Sequence, residues 1–371
     1  MASATIVGKN SDKLPPAQLF EDHTDMGFTL LPGIISLALT LALGIPAAKL
    51  AERLGVMDVP GSAPHKRHAR PTPLAGGMLT MVALLSLTAA YRASLDRDIL
   101  AVLVGTLIVF AFGLWDDRRG LSAGPKLIGQ LIASIILIAS GVQVRFMTVL
   151  LDPNAISPAM AQLLNVLITL FWLVGITNAM NLIDSMDGIV AGLGVIASAF
   201  FLGAARLSHQ PTLTFMAAGL FGICAGLYFW NAVVVKFFLG DSGAQTIGFL
   251  LACFGILYNP LGRSPESSWI VPIMLLSVPI FDTTLVALSR LRRKQPIGTG
   301  RRDHTFHRFI MLGIRPRYAV LIVHLTLTVS VFAYFTLYLE PWLALILFMT
   351  AILSGIVFLI WLERKPALDL E

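Results

Sequence analysis

Apolar residues run through this chain in long stretches, each followed by a short polar segment rich in Gly, Asp, Lys or Arg. About eleven of these stretches reach some 18 residues, enough for a helix to cross the roughly 30 Å hydrocarbon core of a bilayer. They lie near 28–49, 72–91, 98–115, 127–145, 161–181, 188–206, 212–230, 242–259, 269–289, 318–339 and 341–362. The pattern predicts an all-α integral membrane protein, a polytopic bundle of about eleven transmembrane helices whose loops carry the chemistry. Residues 1–27 read as a polar extracytoplasmic segment, 28–362 as one transmembrane domain and 363–371 as a cytoplasmic tail. The first segment has no basic-then-apolar leader ending in small residues, so no cleaved signal peptide is expected.

Composition agrees. Hydrophobic residues make up 56% and charged residues only 13% of the chain, against roughly 25% charged in a soluble domain. Cys224 and Cys253 fall inside apolar stretches and read as buried small hydrophobes, without a disulfide framework or a cysteine metal site. The charges set the orientation. Lys and Arg in short loops favour the cytoplasm, and alternate loops plus the C-terminal tail hold 20 of the 27. The N-terminus is therefore expected outside and the C-terminus on the cytoplasmic side. The net charge of +6 then needs no nucleic-acid partner; it is a positive-inside signature and a pull toward phosphates.

Carboxylates at the ends of spans need a cavity, a cation or a function, and four loops on the basic side concentrate them. Asp116-Asp117, at the end of the third stretch, reads alone as a pair of stop-transfer charges. As chemistry, adjacent carboxylates hold a divalent ion or share a proton. Lys126, ten residues on, is placed to return from the next helix toward a phosphate. Asn178, Asn181 and Asp184 follow at helical spacing on one face and lead to Asp187-Gly188, too many polar groups at this depth for capping alone. Asn231 precedes Gly240-Asp241-Ser242-Gly243, a turn where backbone approaches a ligand closely and a hard oxygen suits Mg²⁺.

The fourth loop runs from Arg290 through Arg301, Arg302, Asp303, His304, His307 and Arg308. Its first part is a positive-inside signal; the Arg-Arg-Asp-His…His-Arg part has forks for diphosphate oxygens and rings that donate or shuttle protons. His65-Lys66-Arg67-His68, before Pro71, Pro73, Gly76 and Gly77, is a second basic loop of this kind. Together these parts suit metal-assisted transfer of a phosphoryl group between a soluble substrate and a lipid.

In this order the motifs resemble the polyprenyl-phosphate N-acetylhexosamine-1-phosphate transferases, which start O-antigen, enterobacterial common antigen, teichoic acid linkage and peptidoglycan lipid synthesis. The resemblance covers Asp58 to about Ala319. It implies transfer of a sugar-1-phosphate, GlcNAc-1-phosphate foremost, from a UDP-N-acetylhexosamine to undecaprenyl phosphate with release of UMP. It implies Mg²⁺, with Mn²⁺ as a substitute, on Asp241 and Asn181. Lys126 and the Arg/His loop would hold the diphosphate, Asp184 would lie toward the uracil, and Asp116 would activate the acceptor with Asp117 second. Lys66, His68, Asn178, Asp187, Asn231, Arg301, Arg302, His304 and His307 complete the expected substrate-binding set. Members of the family are often dimers, which implies a second copy of the chain as a partner.

Phe306 stands where relatives carry a middle histidine, which favours the GlcNAc-1-phosphate branch over the phospho-N-acetylmuramoyl-pentapeptide transferases. Asp184-x-x-Asp187-Gly188-x-x-Ala191 copies the opening of the CDP-alcohol phosphotransferase pattern, but Gly192, Ala205 and His209 occupy the positions of its Arg and later acids. A transporter of anionic solutes would show mid-span polar residues and an internal repeat; here the polar residues gather at one face.

Overall fold

The computed structural model describes residues 26–60, 70–90, 96–145, 156–260, 267–295, 303–337 and 341–364. The apolar stretches fold as helices, because a bilayer offers the backbone no hydrogen-bond partners and a helix satisfies its own. In order these are α1 (Met26–Leu54), α2 (Gly76–Ala90), α3 (Arg97–Arg119), α4 (Ala123–Ala139), α5 (Pro158–Ile183), α6 (Ile189–Leu207) and α7 (Pro211–Tyr228). After a π-helical turn at Phe229–Val233 come α8 (Gly240–Leu257), α9 (Ser267–Leu275), α10 (Ser277–Arg292), α11 (Thr305–Met311), α12 (Pro316–Leu337) and α13 (Pro341–Glu363). Several hydroxyls inside the spans are satisfied locally: Thr80, Thr106, Ser134, Thr169 and Thr177 each donate to the carbonyl four residues back.

Seven helices of the described residues are long and apolar enough to cross a membrane, or eight if α9 and α10 form one span. The expected eleven crossings are therefore not confirmed as a count, though three further apolar helices accompany these among the described residues. Gly76–Ala90, Ala123–Ala139 and Pro316–Phe332 are apolar but shorter. At 1.5 Å per residue a 15-residue helix such as α2 rises only about 22 Å of a roughly 30 Å core. Between α9 and α10 the axis bends by 70° near Pro279, whose ring leaves the Leu275 carbonyl without its helical donor.

Helix α8 is the axis of the fold, packed by α2, α3, α5, α6, α7 and α9 and buried along most of its length. Close approach at its N-terminus depends on Gly113 of α3, where a Cβ would stand 2.6 Å from Ser242 Cα. The outer helices turn large apolar side chains outward, Phe171 and Val357 among the most exposed, as a lipid-facing surface requires.

A small backbone ladder ties the loops to this axis. Strands β1 (Met57–Asp58) and β2 (Thr72–Pro73) pair antiparallel. The Phe238 amide then donates to the Pro73 carbonyl at 2.9 Å, and the Ala75 and Gly76 amides donate to Phe238 O at 3.2 Å. The Pro-x-Pro-x-x-Gly-Gly segment is thereby stitched to the loop that leads into Asp241.

Candidate functional site

Three motifs far apart in sequence converge on one carboxylate oxygen. Lys126 Nζ, near the start of α4, donates to Asp116 Oδ2 at 2.7 Å and to Asp241 Oδ2 at 2.8 Å. Asn181 Nδ2, near the end of α5, reaches the same Asp241 oxygen at 3.4 Å. Asp116 also accepts from the Leu121 amide just past the end of α3, which pins its carboxylate against Lys126. One ammonium thus stands between two carboxylates whose mutual repulsion it offsets.

Asp117 turns the other way. Its Oδ1 accepts from the Asp241 amide at 2.7 Å, and its Oδ2 accepts from the Ser242 amide at 3.1 Å and from the Ser242 hydroxyl. The adjacent Gly240 has φ +73°, and a Cβ there would meet Asp117 Oδ2 at 2.6 Å, so this position demands glycine twice over.

One helical turn before Asn181, Asn178 belongs to a layer of amides. Its Nδ2 donates to Gln130 Oε1 at 2.6 Å, while Gln130 Nε2 donates to Asn178 Oδ1 at 3.3 Å and to Gln245 Oε1 at 3.1 Å. Gln130 and Gln245, both buried, are absent from the sequence-based set. Asn231 is 2% exposed and clamps two loops: its Oδ1 accepts from the Gly188 amide at 2.7 Å and its Nδ2 donates to Phe237 O at 3.2 Å. Asp184 ends α5 and is half-buried, and Asp187 is exposed. Burial, then the negative charges of Asp241, Asp187 and Asp117, push the Asp184 carboxyl well above the usual range.

A second polar cluster binds α10, α11 and α13. Arg290 grips Asp303 bidentately, Nε to Oδ2 at 2.8 Å and Nη2 to Oδ1 at 2.7 Å. Burial alone would raise the Asp303 carboxyl; the Arg290 hydrogen bonds and charge outweigh it and hold Asp303 below the usual range. His304 Nδ1 lies 2.7 Å from Asp282 Oδ2, and the Thr305 amide donates to Asp282 Oδ1 at 2.7 Å. Arg308 donates to Leu362 O, Ser289 Oγ and Glu363 Oε2. Phe306 is fully buried and forms a triangle of rings with His304 and His307, 5.6 and 4.4 Å away by centroids, the two imidazoles lying 5.8 Å from each other. Asp282 is a residue the motif reading missed, although a carboxylate inside an apolar stretch is itself a signal. Lys66, His68, Arg301 and Arg302 lie outside the described residues.

The donor set fits a hard divalent cation. Among the described residues no group of three or more His, Cys, Asp or Glu forms a metal cage. Mg²⁺ asks for none, since it commonly takes one or two carboxylates and fills its octahedron with water and substrate phosphate. Two carboxylates and an Asn amide around the Lys126 ammonium are such a set, with the ammonium marking a position where positive charge is already stable.

Comparison with known proteins places these residues in context. The glycosyl transferase family 4 model matches residues 99–259, a segment that contains Asp116, Lys126, Asn181 and Asp241. A probable undecaprenyl-phosphate N-acetylglucosaminyl 1-phosphate transferase of Bacillus subtilis is 31% identical over 79% of this chain and 80% of its own length. A decaprenyl-phosphate N-acetylglucosaminephosphotransferase of Mycolicibacterium smegmatis is 31% identical over 85% of this chain and 84% of its own. A phospho-N-acetylmuramoyl-pentapeptide-transferase of Lactobacillus gasseri is 30% identical over 78% and 92%.

Proposed function

The chain belongs to glycosyl transferase family 4, in its polyprenyl-phosphate N-acetylhexosamine-1-phosphate transferase branch, and from that premise we propose that it transfers GlcNAc-1-phosphate from UDP-GlcNAc to undecaprenyl phosphate. One oxygen of the lipid phosphate forms a bond to the sugar-bearing phosphorus. The bond from that phosphorus to the bridging diphosphate oxygen breaks, and UMP leaves with the electron pair. The products are UMP and a lipid-linked diphosphate sugar.

The observation that carries this reading is the convergence of Asp116, Lys126 and Asn181 on Asp241. In phosphoryl transfer there is little covalent chemistry for a protein to do beyond positioning and neutralising charge. Lys126 exchanges a carboxylate for a diphosphate oxygen and holds the donor. Asp116 faces the acceptor phosphate and orients it. Asp241, with the Asn181 side-chain oxygen, would hold Mg²⁺ or Mn²⁺. When bound, the ion neutralises the diphosphate and the charge that develops on the leaving oxygen. Asp184, at the end of α5 beside this cluster, would face the uracil edge.

GlcNAc is favoured over the muramoyl-pentapeptide by Phe306. A buried ring packed beside His304 and His307 offers nothing polar where other members carry a histidine. The basic asymmetry of the loops supports a site that opens to the cytoplasm, where the UDP-sugar is made.

Purified protein with Mg²⁺, undecaprenyl phosphate and a panel of UDP-sugars should release UMP, fastest with UDP-GlcNAc. Asp241→Ala should lower that rate by about a hundredfold or more, as loss of a group that stabilises the transition state does. No UMP with any UDP-sugar, or full activity in Asp241→Ala, would overturn the assignment.

A further inference from the structure

The paired carboxylates do different jobs. We propose that Asp117 is a positioning residue, a cap supplied from α3 to the N-terminus of α8, and that it aims Asp241 without itself touching substrate; this rests on the transferase reading above only for what Asp241 then does. The first amides of a helix have no partners within the helix and carry its positive end. The residue preceding α8 is Leu239, whose side chain supplies no cap. Asp117 supplies it from another helix, accepting from the Asp241 and Ser242 amides and the Ser242 hydroxyl.

Acceptor capacity separates the two aspartates. A carboxylate has about four lone-pair positions. Three hydrogen bonds to the first turn of α8 take up most of those on Asp117, and both on Oδ2. Asp116 spends one on the Leu121 amide and one on Lys126, which keeps capacity for a reactant. The surroundings are built to the same end. Gly240 takes a left-handed φ and leaves the space a Cβ would deny Asp117, and Gly113 lets α3 come against Ser242. Because Asp117 holds the amide of Asp241 itself, a fixed cap fixes the direction in which the Asp241 side chain leaves the backbone, and with it the distance to Lys126.

Asp117→Asn tests this, since the amide keeps the shape but sets an N–H donor against the donors of α8. Hydrogen exchange, read by mass spectrometry on metal-free protein in detergent, should quicken at the peptide covering 240–246 by about three- to thirtyfold, the range that loss of a helix cap gives. Exchange at 100–112 should stay unchanged. Turnover should fall while the apparent KM for UDP-GlcNAc moves little. Asp116→Asn should lose turnover with 240–246 exchange as in the wild type. Ser242→Ala, which removes only the hydroxyl bond, should give a smaller rise at 240–246 and serves if Asp117→Asn does not fold. Wild-type exchange at 240–246 in both Asp117→Asn and Ser242→Ala would overturn the proposal, whatever their activity. Because exchange needs no substrate, a failure of the transferase reading would leave this outcome separately visible.

Discussion

Adjacent residues on a helix point about 100° apart, and at the end of α3 that angle gives Asp116 and Asp117 different neighbours. Asp116 meets Lys126 and Asp117 meets the backbone of α8. The Lys126 ammonium between Asp116 and Asp241 sets the resting charge balance, and the proposed reaction gives it the donor diphosphate as well. Lys126→Ala should therefore lower UMP release by about a hundredfold or more, with a greater demand for Mg²⁺ as two carboxylates lose their shared cation. A rate within a few-fold of the wild type at any Mg²⁺ concentration would remove Lys126 from the site. Asp116, Lys126, Asn181 and Asp241 were legible from residue type beside glycine at span ends. Gln130, Gln245 and the cap made by Asp117 were not, because each depends on a partner more than 40 positions away.

At the scale of elements, the site exists because α3 and α5 end, and α4 and α8 begin, around one point. Glycine sets how closely α3 comes to α8. A Cβ on Gly113 would stand 2.6 Å from Ser242 Cα and 2.9 Å from its amide nitrogen, and backbone has no rotamer by which to yield. Gly113→Ala should separate the two helices and cost about 1–3 kcal/mol, the range for overpacking, seen as a lower Tm in detergent and a loss of turnover. An unchanged Tm would show that α3 is not held at this distance by Gly113. The Asp303-to-Met311 segment is fixed in another manner, by Arg290 on Asp303, Asp282 on His304 and the α13 end on Arg308. The motif reading saw the histidines of that segment as free to meet phosphate. Asp282 stands out as a carboxylate in an apolar stretch, but nothing in its spacing ties it to His304, 22 positions away.

For the whole molecule, burial runs from the enclosed α8 to the outward-facing α13, so the polar cluster sits at the end of the least lipid-exposed helix, where charge is best kept from hydrocarbon. Orientation belongs to this scale. Lys236 is exposed between Asn231 and Asp241, and both native cysteines are buried. A Lys236→Cys protein in intact cells should resist a membrane-impermeant maleimide and react once the cells are opened; ready labelling from outside would reverse the topology.

By itself the sequence determined the class of molecule and singled out the polar clusters at span ends, since bilayer thickness and the cost of charge in hydrocarbon act on local composition. Order and spacing of its motifs carried the family. Tertiary structure decided where the chain bends between α9 and α10. It also decided which of two neighbouring aspartates faces Lys126 and which holds α8. Those outcomes depend on contacts between residues distant in the chain, and the distance from Asp117 to the Asp241 amide is fixed only when α3 and α8 pack.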